Sequence, residues 1–328
     1  MRRRWVVALL TALALGIPPT AAAGARLPPI GLAIAGQIVG AADAIAIRQG
    51  YFTQEGLDVR PRPAALPGDG AALASEAVDI NTMAARPFLL RLDKTPPYVA
   101  VASAGLACGA THVVVRKGSD IRGVAQLKGK TIGLPRGGTL EQVFVGQIAP
   151  AHGLTPGDYT VTVIADARAR VPSLVVKLVD AAIAAEPAVA AAEQEGTARS
   201  LESFCKYDPL PYVVVASARL VKAHPDAVIG YLRGRLRAIA LLREDPARAA
   251  AAYAEELKVA GQDIPVAAVE HALRRVNWEP AITPDLERYL AARLKAMQAV
   301  AGDARPKTVP DLSPAIDRDL LQKAMRPK

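Results

Sequence analysis

Pro135, Arg136, Gly137, Gly138 and Thr139 are the residues whose types and order come nearest to a binding site. They stand between a β-prone run, residues 131–134, and a run whose apolar residues Leu140, Val143, Phe144 and Ile148 recur at helical spacing. Two glycines permit a tight turn and let a ligand approach the backbone closely. Thr139 suits a helix N-cap or a hydroxyl contact. The helix start behind it offers free N–H groups and the positive end of a dipole, which favour an anion. Arg136 adds a planar fork for a sulfonate, nitrate or carboxylate. The competing reading is an ordinary strand-to-helix turn with Arg136 in solvent.

Four other places hold polar groups at the ends of apolar runs. Gly68 and Asp69 precede a helical stretch, either as a Pro-Gly turn with Asp69 as cap or as a loop that presents backbone amides. Gln37 lies between small residues after the first apolar run, and Thr82 follows the third. Either can hydrogen-bond a ligand, and each can equally be a plain loop residue. Glu186 closes the apolar run 181–185 ahead of Pro187. It either caps the next helix or meets a positive ligand group. If Arg136 and Glu186 face each other, they pair, or they hold the two ends of a zwitterion.

Catalytic signatures are missing. The four histidines, His112, His152, His224 and His271, have no metal-ligand spacing, and no G-x-S-x-G elbow occurs. The expectation is a binding protein, not an enzyme, with no metal or cofactor. The chain carries a net charge of +9, but its basic residues are scattered and do not alternate with aromatics. That excludes a single-strand nucleic-acid groove. The helix around Arg233, Arg235 and Arg237 is the one candidate patch for an acidic partner.

These residues need a scaffold. A length of 328 residues suggests two domains, and 51% hydrophobic with 22% charged residues excludes a disordered chain. Two cysteines exclude a disulfide framework or a Cys-based zinc domain. Residues 1–23 have a basic start, an apolar run and an A-x-A site, the pattern of an export signal. The apolar run is shorter than the roughly 20 residues a spanning helix needs. After it, short apolar runs alternate with helical stretches as far as residue 104, and the pattern restarts at residue 111. Repeated β-α units build largely parallel sheets flanked by helices. A further β-run at 212–216 precedes a helical remainder, in which Val228, Ile229, Leu232, Leu236 and Ile239 make a core-facing stripe. The expected organisation is a signal over 1–23, lobe 1 over 24–108, an inserted lobe 2 over 109–205, and a return to lobe 1 over 206–328.

The order of local motifs resembles solute-binding proteins of ABC importers, in the nitrate/sulfonate/taurine (NitT/TauT) group. The matching segments are AIAIRQGYFTQEGLDV at 44–59, AALASEAVDI at 71–80, VRKGSDIRGVAQLKGKTIGL at 115–134, VDAAIAAEP at 179–187 and SARLVKAHPDAV at 217–228. Glu76 stands where the family usually has glycine. The resemblance implies a type II periplasmic binding protein: two α/β lobes, two crossover strands and a cleft that closes on ligand by hinge motion. It implies that the glycine loop at 136–139 lines the cleft. It further implies a periplasmic monomer that carries a small anionic or zwitterionic solute to a membrane permease. Alternatives are a sensor for a membrane receptor, or a pyrimidine-binding member of the fold. In such a fold Cys108 and Cys205 fall on adjacent crossovers. A disulfide there closes a loop of about 100 residues, worth up to about 4.7 kcal/mol by chain entropy. The alternative is two separate buried thiols.

Overall fold

The structure, a computed structural model, describes residues 27–34, 38–63, 78–90, 92, 98–300 and 311–327. The leader expected over 1–23, the helix expected over 70–76 and the candidates Gln37, Gly68 and Asp69 lie outside the described residues.

Described strands are β1 (Ile30–Ile34), β2 (Val59–Pro63), β3 (Ile80–Ala84), β4 (Tyr98–Leu106), β5 (Thr111–Arg116), β6 (Thr131–Leu134), β7 (Thr160–Val163), β8 (Ala181–Ala185), β9 (Ala198–Ser203) and β10 (Pro211–Ser217). They form two five-stranded sheets, ordered β2-β1-β3-β10-β4 and β7-β6-β8-β5-β9. In the first, β1 is parallel to β2 and β3, and β10 is antiparallel to β3 and β4. In the second, β6 is parallel to β7 and β8, and β5 is antiparallel to β8 and β9. Each sheet therefore has one reversed strand, and it is the first strand after a crossing. The chain enters each sheet from the junction, where the parallel strands end.

Helices cover both faces, so the central strands β3 and β8 are buried along almost their whole length, as in sheets covered on both sides. Over one face of the first sheet, Ala41–Arg48 and Pro225–Glu244 pack with Ile45, Tyr231 and Leu232 buried. Phe52 stacks on Tyr231 with ring centroids 5.2 Å apart. Within the expected stripe, Val228, Leu232 and Ile239 are buried, while Ile229 and Leu236 pack at its edge. The other face is closed by Phe88 with Leu286, Leu290 and Leu294 from the helix Pro284–Val300.

Several boundaries differ from the sequence reading. The second strand starts at Val59, because Leu57 turns into the core under the preceding helix. The helix from Thr139 widens at Phe144–Ile148 before ending at Ala149–Ala151. The helical remainder is interrupted after Leu273: Asn277 and Leu106 exchange backbone hydrogen bonds of 3.0 and 3.1 Å, and Ser103 donates to the Pro280 carbonyl at 2.9 Å.

That extended stretch lies against the crossings. Both crossings are short 3-10 turns, Cys108–Ala110 and Phe204–Lys206, rather than continuous strands. A disulfide joins Cys108 to Cys205. Gly105, at φ +115°, and Gly109 allow the approach of residues 275–277. A Cβ at Gly105 would lie 2.6 Å from the Asn277 oxygen, and one at Gly109 would strike the Arg275 oxygen.

Candidate functional site

The ends of β3, β6, β7 and β8 and the starts of β5 and β10 all point to the junction between the two sheets. There the loop 135–138 follows β6. Gly137, at φ +75°, makes the turn, and Arg136 is exposed. The amide of Gly137 donates to the Glu141 carboxylate from the first turn of the following helix. Its carbonyl accepts from Arg86 Nη1 at 3.2 Å. Arg86 sits in the helix Ala85–Leu89, directly after β3 of the first sheet. One hydrogen bond thus links the helix after β3 of the first sheet to the glycine loop after β6 of the second.

Arg86 is short of partners. Its Nε is buried without a hydrogen bond. Burial and the neighbouring Arg293 push its pKa below the ordinary guanidinium value. Arg293 is 3.7 Å from Asp208, and Asp208 is already engaged by the Tyr289 hydroxyl at 2.8 and 2.9 Å and by the Leu210 amide at 2.8 Å.

Glu186 takes a different place from either pairing with Arg136 or a free position. It is buried at the end of β8, where one oxygen accepts from the Ala190 amide at 2.8 Å and caps the helix Ala188–Gln194. Its other oxygen is bonded by Arg275. Arg275 also contacts His112 Nε2 at 3.2 Å and Glu193 at 3.3 Å. His112 Nδ1 is 2.9 Å from the Ser200 hydroxyl. Of the two roles the sequence leaves open for Glu186, the helix cap is present, and its charge is met by Arg275.

Thr82 is buried in β3, and its hydroxyl donates to Asp43 Oδ2 at 3.2 Å. Asp43 Oδ1 accepts from Tyr231 and Arg235, both at 2.6 Å. This buried polar knot fixes the helix Ala41–Arg48 under the cleft. Thr139 and Gly138 are half-buried beside the glycine loop. The structure thus brings together Arg136, Gly137, Gly138 and Thr139, and places Thr82 and Glu186 in separate internal networks.

Arg86, Arg170 and Arg275 escaped the sequence reading. The available signals were a cation immediately after a short apolar strand (Arg86) and a cation sharing a helix face with Leu174 four residues on (Arg170). The helix of Arg233 and Arg237 borders a surface groove of about 500 Å³, but Glu55 and Asp226 line it as well, with Lys323 and Arg326. It is mixed in sign, not uniformly basic. Among the described residues no cluster of three or more metal-ligating side chains occurs, and no helix is long and apolar enough to cross a membrane.

Two mixed five-stranded sheets joined by two crossings match the periplasmic binding protein fold. The chain belongs to the NMT1/THI5-like family, whose model matches residues 40–249. Among solved structures it is similar to the alkanesulfonate-binding protein SsuA of Xanthomonas axonopodis pv. citri bound to MOPS, at TM-score 0.70 and 21% identity, covering 89% of this chain and 99% of that one. It is similar to the periplasmic aliphatic sulphonate-binding protein SsuA of Escherichia coli, at TM-score 0.69 and 18% identity, covering 88% and 92%. It also resembles the periplasmic nitrate-binding protein NrtA of Synechocystis PCC 6803, at TM-score 0.68 and 16% identity, covering 90% and 88%. These likenesses bear out the NitT/TauT-type fold expected from the motifs. A comparison with curated proteins finds no match.

Proposed function

We propose that the protein is the exported, periplasmic solute-binding component of an ABC importer, and that it carries a small anion between its lobes to a membrane permease. The observation that carries this reading is the bond from Arg86 to the Gly137 carbonyl, which ties a cation of one lobe to the glycine loop of the other. Arg86, Arg136, Gly137, Gly138 and Thr139 form the proposed wall. The family and the binding proteins that share the fold support the role. Its work is selective binding and lobe closure, without chemistry, as a monomer.

The test is a thermal-melting panel of alkanesulfonates, nitrate, short carboxylates and pyrimidines. A ligand at about 1,000 times its Kd stabilises by about 4 kcal/mol, a rise of several degrees. An anion that responds supports the reading, and Arg86→Ala should then lose most of the rise. A panel in which only pyrimidines respond contradicts the anion assignment.

A further inference from the structure

Each sheet has two edge strands, and three of the four carry a device against a further strand. β2 holds Arg60, Pro61 and Arg62, a pattern of charge and proline that discourages pairing. β4 is covered by backbone: Ser103 donates to the Pro280 carbonyl, Leu106 and Asn277 exchange bonds, and Asp317 donates to the Ala100 carbonyl. β9 holds Arg199 and Glu202, and its Ser200 amide is taken by the Glu193 carboxylate at 2.9 Å. β7 is different. Its sequence is Thr-Val-Thr-Val, without charge or proline, and Val161 and Val163 are 39% and 43% exposed.

The hydrogen bonds of β7 show which of its backbone groups are free. The Thr160 amide donates to the Lys130 carbonyl and the Ile164 amide to the Leu134 carbonyl, both at 2.9 Å. Even-numbered residues therefore bond to β6, and by alternation Val161 and Val163 turn their N–H and C=O groups to the open side. Neither of these backbones has a partner on that side among the described residues. The two valines share a face of the sheet with Ile132 and Leu134, their register partners in β6. The charged residues nearest β7 in sequence are paired within the chain, Asp158 with Lys128 and Asp166 with Arg168, both at 3.1 Å. Those flanking charges are therefore already compensated.

A second copy of this chain fits that edge. When two β7 strands run antiparallel about a two-fold axis at Thr162, Val161 lies opposite Val163 of the partner subunit, and the reverse. Each opposed pair then exchanges both of its hydrogen bonds, so every free group is used. The same register sets the valines of both copies side by side on one face, where they cover each other. A shifted register leaves some of these groups unused. We propose that the protein forms a homodimer by edge-to-edge pairing of β7, which joins the second sheets of two copies into one. β7 is the outermost strand of its sheet. Each copy keeps its own cleft, so binding and closure remain the work of a single chain. The strand is short, so the dimer is weak and depends on concentration.

Sedimentation velocity of the full chain, from micromolar to millimolar concentration, tests this. Wild type should pass from the mass of one chain to that of two as concentration rises. Val163→Pro removes only an outward-facing N–H, so the bonds to β6 remain and the melting temperature should stay near that of wild type. A two-fold interface counts each change twice, so this variant should dimerise more weakly on the order of tenfold or more. Val161→Lys puts a charge on the edge and should keep the protein as single chains. Val176→Lys is the control: Val176 is 72% exposed but lies outside β7, and this variant should dimerise like wild type. If Val163→Pro melts early, Val161→Lys decides alone. A single-chain mass at every concentration overturns the inference, and so does an assembly larger than two chains, because a two-fold contact closes at two. A dimer that survives Val161→Lys, or that Val176→Lys abolishes, places the contact elsewhere and overturns it too. These outcomes leave the solute-receptor reading untouched.

Discussion

The guanidinium of Arg275 is hydrogen-bonded to the carboxylate of Glu186, whose side chain is fully buried at the junction of the two lobes. Arg275 belongs to the segment that follows the helix Val266–Leu273, and Glu186 to the end of β8. Removing one member of a buried pair leaves the other charged without a partner, at about 3–5 kcal/mol. Arg275→Ala should lower unfolding free energy by about 3 kcal/mol on that scale, read from urea denaturation. A loss below about 1 kcal/mol would mean that the pair behaves like an exposed one.

Beneath the cleft, Asp43 is the acceptor for Tyr231, Arg235 and Thr82. Two nitrogens of Arg235, Nε and Nη2, are buried without partners, so Asp43 is its main compensation. Asp43→Ala should cost about 3–5 kcal/mol. Thr82→Val should cost only about 1 kcal/mol, the scale of one neutral donor's bond. Comparable losses in the two variants would contradict the assignment of the charge pair as the centre of the knot.

Residues 275–277 reach the crossings only because Gly105 and Gly109 have no side chain. Gly109→Ala should push that segment away and destabilise by more than about 1 kcal/mol, the lower end of overpacking costs. Gly118→Ala offers a control: like Gly109 it lies outside the left-handed region, but nothing lies within 4 Å of its added Cβ. If Gly109→Ala melts at or above the control, the close approach has been misread.

The link between Cys108 and Cys205 closes a loop with a sequence separation of 97. Reduction, or Cys108→Ser with Cys205→Ser, should cost about 2–5 kcal/mol. Melting with and without reductant checks this, and an unchanged midpoint would argue against it.

Alkali should act on the buried phenols. Burial pushes the Tyr212 hydroxyl up to about 12, although Arg170 pulls it the other way, and Tyr253 and Tyr231 are raised by burial too. Each folded-state value lies above the ordinary value of ~10. The folded state therefore favours the protonated form. This stability is complete below pH ~10 and is lost as pH climbs through the folded values. Absorbance at 295 nm and circular dichroism should change together above pH ~10. Full phenol ionisation with the fold retained would contradict it.

Much of this architecture is legible in local patterns. Apolar runs such as 181–185 and the helical spacing of Leu140, Val143, Phe144 and Ile148 mark their elements because period and burial are local properties. The strand-to-helix turn at Gly137 is legible for the same reason. The partners of that turn are not. Arg86 lies about 50 residues upstream of Gly137, and Arg275 about 90 downstream of Glu186. Only the return of the chain through both sheets brings them together, and no spacing in the sequence encodes that pairing. Thr82 reads as a loop hydroxyl beside a cleft. Its bond inward to Asp43 follows from how the helix Ala41–Arg48 lies against β3.

The central claim is that an anion held between the lobes draws them together. Small-angle X-ray scattering of the full chain, with and without the anion that raises its melting temperature most, tests it directly. The account predicts a smaller radius of gyration when the anion is bound, and the same change lost in Arg86→Ala. An anion that binds tightly while the radius of gyration stays unchanged would contradict it.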